Sequence, residues 1–154
     1  MLAILTFLAA TAVFPSNSTT GWMRPESFHL SIGMSRSDAL KKLAGSGFEA
    51  KKGDDDQHMI VDYTPTQSLT LEFRKERLRS IRFELYTPLG ETAAAFDQEK
   101  KYLRETFGVP RPVKSASMLI YDMTLPNVMA VMTRDTAKGI GTLVVRYYDP
   151  AGPK

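Results

Sequence analysis

Five cations crowd into FRKERLRSIRFEL, residues 73–85: Arg74, Lys75, Arg77, Arg79 and Arg82, set among large apolar side chains. Such a run grips an acidic partner, or it is the solvated side of a β-hairpin. A nucleic-acid site would add exposed aromatic rings on which bases stack. The rings at hand, Phe73 and Phe83, carry the parity of the buried face, so no nucleic-acid partner is expected.

A second group is GDDDQH, where His58 follows Asp54, Asp55 and Asp56; the other histidine, His29, stands in a different element. Carboxylates beside an imidazole suit a hard or borderline metal. The segment lacks the alternate-position ligands and the closing glutamate of a calcium loop, and reads as a solvated turn before a strand. Met118, Met123, Met129 and Met132 form a third group. Thioethers suit an adaptable surface or a soft metal, and on apolar strands they also suit core packing.

Several chemistries are excluded outright. The chain has no cysteine, which removes disulfides, thiolate metal sites, a cysteine nucleophile and a lipidated N-terminal cysteine. No serine stands in a Gly-x-Ser-x-Gly elbow, and no local spacing singles out a carboxylate pair. GIG at 139–141 lacks the lysine and the strand-to-helix setting of a phosphate loop. No catalytic residue, metal site or cofactor is expected, and the chain reads as a non-enzyme.

The elements that must position these groups follow from periodicity. Ser35 is placed to cap a helix, with Asp38 three residues on, and Ala39, Leu40, Leu43 and Ala44 make its apolar stripe. Gly45 and Gly47 stop it, and Phe48 is expected to fold back onto it. Three strand-like runs follow, at 58–63, 69–73 and 81–85, with Leu69, Leu71, Phe73, Ile81, Phe83 and Leu85 inward. Thr87 and Pro88 read as cap and first turn of a second helix. That helix turns Phe96, Leu103 and Phe107 to one face and Glu99, Lys100 and Lys101 outward, and Gly108 and Pro110 end it. Three more runs span 118–123, 128–134 and 142–148. The fold class is α+β: a pseudo-repeated αβββ-αβββ chain, its halves 28–86 and 87–150, with an antiparallel sheet and two helices packed on one face.

Composition fits one soluble domain, with 43% apolar and 24% charged residues and a mild formal charge of +3. MLAILTFLAATAVF is an uncharged apolar run, shorter than the roughly 20 residues of a membrane-spanning helix. It has the length of a signal-peptide core, and Ala10-Thr11-Ala12 supplies a small-x-small cleavage pattern. The expectation is a signal peptide at 1–12, a linker at 13–27, one domain at 28–150, and a periplasmic or secreted location. Were the run retained, the chain would be a cytoplasmic or membrane-associated regulatory module; a small enzyme of unknown type is the other alternative.

Three segments carry a family resemblance. IGMSRSDALKKLAGSGF, LEFRKERLRSI and LRETFGVP resemble small bacterial envelope domains of the SmpA/OmlA type and the related β-lactamase-inhibitor-protein-like fold. The resemblance implies a periplasmic or secreted binding or scaffold domain without catalytic residues. The chain departs from the lipid-anchored members in lacking a cysteine, and from many relatives in having one helix per half.

Six strands under two helices leave one sheet face open. Arg74, Arg82, Arg134 and Arg146 are assigned to it as a basic docking surface for an envelope protein, peptidoglycan or anionic lipid. The hairpin within FRKERLRSIRFEL sets a condition of its own. Phe73 opposite Leu78 would put Ile81 on the wrong face, so a β-bulge near Arg79-Ser80 is expected. That bulge restores Leu71 opposite Ile81 and Leu69 opposite Phe83.

Overall fold

Helix α1 (Arg36–Gly45) begins and ends where side chains and glycine supply what the backbone lacks. Ser35 Oγ accepts the Asp38 N–H at 3.1 Å, and its hydroxyl donates to the Asp38 carboxylate at 2.7 Å. This satisfies an orphan donor of the first turn and sets negative charge at the positive end of the helix dipole. At the other end, Gly47 N–H bonds the Ala44 carbonyl and Phe48 N–H bonds the Leu43 carbonyl, each at 3.0 Å. Gly47 sits at φ +83°, so this is a Schellman closure that a Cβ would strain. It turns Phe48 back onto Phe28, ring centroids 5.3 Å apart. Ala39 and Leu43 are buried and Leu40 packs on the core, whereas Ala44 is exposed.

The computed structural model describes residues 25–122 and 126–151. The expected signal peptide, residues 13–24 of the expected linker, and Met123 lie outside these. A 3-10 turn at Pro25–Phe28 takes in residues that composition assigns to the linker, because Phe28 is fully buried and anchors it. The strands are β1 (Lys51–Lys52), β2 (His58–Thr64), β3 (Gln67–Arg74), β4 (Arg77–Pro88), β5 (Met118–Tyr121), β6 (Asn127–Asp135) and β7 (Ile140–Tyr148), with α2 (Thr92–Phe107) between β4 and β5. They form one antiparallel sheet in the order β1-β2-β3-β4-β7-β6-β5, an α+β architecture. The two-residue β1 is additional to the expected strands.

Alternation assigns the faces. Leu69, Leu71 and Phe73 on β3, Ile81 and Phe83 on β4, and Leu143, Val145 and Tyr147 on β7 are all buried. They share one core with Leu43 of α1 and Phe96 and Leu103 of α2, so both helices cover the same side of the sheet. Two expectations for α2 are corrected. Glu99 is fully buried, because it stands three residues after Phe96 and four before Leu103, squarely on the inward stripe. Thr87 and Pro88 do not open the helix. They continue β4, paired with Gly141 and Ile140 of β7, and the helix starts at Thr92. The Thr92 hydroxyl lies 2.8 Å from that of Thr87, and there is no room for a Cβ on the facing Gly141.

The β3–β4 hairpin has the expected register. Leu69 faces Phe83, Leu71 faces Ile81 and Phe73 faces Leu78, with a shift between Glu72 and Phe73. Glu72 pairs with Ser80, which leaves Arg79 as the extra residue of the bulge. The turn is a tight one: Arg74 pairs with Arg77 around Lys75 and Glu76 alone. Both lie at positive φ, +47° and +57°, the pattern of a type I′ turn.

Candidate functional site: the uncovered face of the sheet

Opposite the helices, the outward residues of five strands line up in cross-strand rows. The central row runs Thr70, Arg82, Arg146, Met129 and Ile120 from β3 to β5. The row on one side contains His58, Glu72, Ser80 and Tyr148. The row on the other contains Ser68, Glu84, Val144, Val131 and Met118. The face is therefore divided: polar and charged on β2 to β4, largely apolar on β5 to β7. A groove of about 410 Å³ spans the division, lined by His58, Thr70, Glu72, Ser80, Arg82 and Arg146 with Met129, Val131 and Val144.

The charges in the groove are matched. Arg146 donates from Nη2 to Glu72 Oε2 at 2.9 Å and from Nε to Ser80 Oγ at 2.7 Å, and its guanidinium lies 5.4 Å from the Tyr148 ring centre. Arg82 donates from Nη2 to Glu84. Glu84 also accepts the Tyr86 hydroxyl at 3.1 Å. Burial, reinforced by that carboxylate, pushes the Tyr86 phenol pKa up. Two arginines thus stand against two glutamates, and the face is neutral at its centre rather than basic.

Of the four arginines assigned from sequence, Arg82 and Arg146 come together as Cα partners across β4 and β7. Arg74 has the outward parity of Glu72 but lies beyond the groove at the hairpin tip, paired with Arg77. Arg134 is corrected to the other side. Val128 and Ala130 are buried and Met132 packs on the core, so Arg134 continues their parity and pairs with Gly141, which faces α2. The glutamates and the apolar half were missed. Glu72 has the outward alternation of Thr70 in the sequence, but its ion pair depends on β7 lying beside β4, which no local pattern states.

The remaining candidates are otherwise engaged. Asp55 Oδ1 accepts the His58 Nδ1 contact at 2.7 Å and the Gln57 and His58 N–H groups at 2.7 and 3.0 Å. The His58 ring and the Gln57 amide hold the Asp55 pKa below its ordinary 3.8. Asp56 is lowered likewise by its ion pair with Lys52 at 2.5 Å. The acidic run is a hydrogen-bonded turn, and among the described residues no group of three metal-binding side chains occurs. The methionines divide by parity: Met118 and Met129 are half-buried on the open face, and Met132 packs on the core.

Each sheet edge is partly blocked. At the β5 edge, Arg111 N–H bonds the Ile120 carbonyl at 2.7 Å, laying a single extended residue along the strand. In an extended chain the N–H groups on either side of Arg111 point away from β5, and both positions, 110 and 112, are proline. At the opposite edge, Lys51 and Lys52 form β1, and Lys51 pairs with Asp62 at 3.2 Å. Lysines on an edge oppose strand addition.

With this geometry in view, comparison with protein-family models, with curated proteins and with solved structures finds no match.

Proposed function

We propose that the chain is an exported bacterial envelope domain that works by binding, not catalysis, and that it docks its partner on the open face of the sheet. One observation carries this reading: the helices cover one face and both edges carry groups that oppose strand addition, so the divided groove face is the sheet face left uncovered. The neutral pairing of Arg82 and Arg146 with Glu84 and Glu72 favours a protein partner over an anionic polymer such as peptidoglycan or a lipid surface. The strand order supports two αβββ halves, β2-β3-β4 and β7-β6-β5, meeting where β4 pairs with β7. The resemblance to SmpA/OmlA-type domains and the apolar N-terminal run support the envelope location. Among the described residues no helix is long and apolar enough to cross a membrane.

The test uses the full chain in a bacterial host, with a photo-crosslinking residue at Val131 on the open face or at exposed Lys101 on α2. Position 131 is expected to capture an envelope protein that position 101 does not, and Arg82→Glu with Arg146→Glu to remove the product. N-terminal sequencing of the recovered protein is expected to begin after residue 12. Equal capture from both positions would refute the open-face reading, and an intact N-terminus in the cytosolic fraction would refute export.

A further inference from the structure

Arg82 and Arg146 stand directly opposite each other across β4 and β7, where like charges repel. Each is held by its own carboxylate. Arg146 uses Nε and Nη2 on Ser80 and Glu72, and Arg82 uses Nη2 on Glu84. A guanidinium has five N–H donors in a rigid fork. The Nη1 groups of both arginines make none of these bonds, so two anchored guanidiniums bring further donors to the groove that both line.

The rest of the lining says what the anion is attached to. Met129, Val131 and Val144 form the apolar side, and on the other Thr70 brings a hydroxyl and His58 the ring nitrogen not bonded to Asp55, Ser80 being buried against Arg146. A hydrocarbon chain has no use for the second set, whereas a peptide backbone does. Because Glu84 and Glu72 already neutralise the two guanidiniums, a single carboxylate is held by directed N–H donors and not by net charge, and a polyanion would be repelled. A groove of about 410 Å³ is in the size range of small-ligand sites and is large enough for a chain end.

We propose that the groove binds the C-terminal carboxylate of a partner polypeptide, held between Arg82 and Arg146, with an apolar last side chain over Met129, Val131 and Val144. The proposal deepens the open-face reading and rests on it.

The test titrates the full chain with N-acetylated tripeptides ending in Leu, Val, Met or Phe, each as free acid and as amide, with decanoate and inorganic phosphate as further arms. Binding is read from backbone amide NMR shifts. The free acids are expected to shift Thr70, Arg82 and Val144 and to bind about tenfold more tightly than the amides, as one charge-assisted hydrogen-bond pair implies. Arg82→Gln is expected to erase that preference; its side chain is 49% exposed, so the substitution leaves the core and the Arg146–Glu72 pair in place. Equal binding of acid and amide, tighter binding of decanoate or phosphate, or no shift in the groove with any probe would each overturn the proposal. If Val131 still captures an envelope partner in that event, the open-face reading stands alone; loss of that capture as well removes both.

Discussion

Lys75 and Glu76 occupy a turn that asks for other residues. Both hold positive φ, a conformation in which a Cβ crowds the following carbonyl at about 1–2 kcal/mol per residue. Asparagine is the usual first residue of such a turn because its short amide tolerates this region. Glu76 has reasons to stay: its carbonyl accepts the Arg36 N–H at 2.9 Å and its carboxylate lies 3.3 Å from the Arg36 guanidinium. Lys75 has no such bond among those described. Lys75→Asn is therefore expected to stabilise the protein by about 0.5–1 kcal/mol, seen as a melting temperature raised by about 2 °C. An unchanged or lower melting temperature would mean that the turn holds no recoverable strain. At this scale the sequence was legible wherever a side chain acts on its own backbone, as at Ser35 and Gly47. It was illegible where the partner is remote: nothing near Arg146 announces Glu72, which stands 74 positions away.

At the scale of elements, the most informative feature is the bulge at Arg79, because it was derived from parity alone. Phe73 and Leu78 face each other around the turn, and Ile81 must still point inward, so one residue has to be extra. That logic extends to deletions. Removing Arg79 leaves Glu72 opposite Ser80 and Leu71 opposite Ile81, a regular ladder with every core residue still inward. The loss is the Arg79 carbonyl that accepts Asp149 N–H at 3.0 Å and the Arg79–Asp149 ion pair. Removing Arg82, three residues further on, shifts the parity of one side of β4 against the other and turns core residues such as Ile81 or Phe83 to the open face. Deletion of Arg79 is expected to give a folded protein destabilised by about 1–3 kcal/mol, and deletion of Arg82 an unfolded one, by circular dichroism and thermal melting. Comparable effects of the two deletions would show that the bulge is not the spare residue. The misreadings of α2 have the same physical root in reverse. Glu99 was judged by its charge and not by its place on the stripe. The end of β4 was judged by Thr87-Pro88 and not by the ladder that β7 continues to supply.

The whole molecule is a sheet with one face covered and two guarded edges, and the guards are specific residues. Pro110 and Pro112 flank the single residue that bonds β5, so the outward side of that segment has no N–H at either position. A strand approaching from solvent meets acceptors without donors and cannot build a ladder. Replacing both prolines by valine restores the donors and adds β-branched residues that favour extension. The buried core is untouched, since the segment from Val109 to Val113 contributes no buried residue. The Pro110→Val, Pro112→Val protein is therefore expected to fold with a similar melting temperature but to self-associate as its concentration rises, by light scattering, while the parent stays monomeric. Covering the Arg82–Arg146 groove would not suppress this assembly, because the new contact is at the edge. Association that the Arg82→Glu, Arg146→Glu pair abolished would instead place the self-contact on the open face, and with it the surface left for a partner.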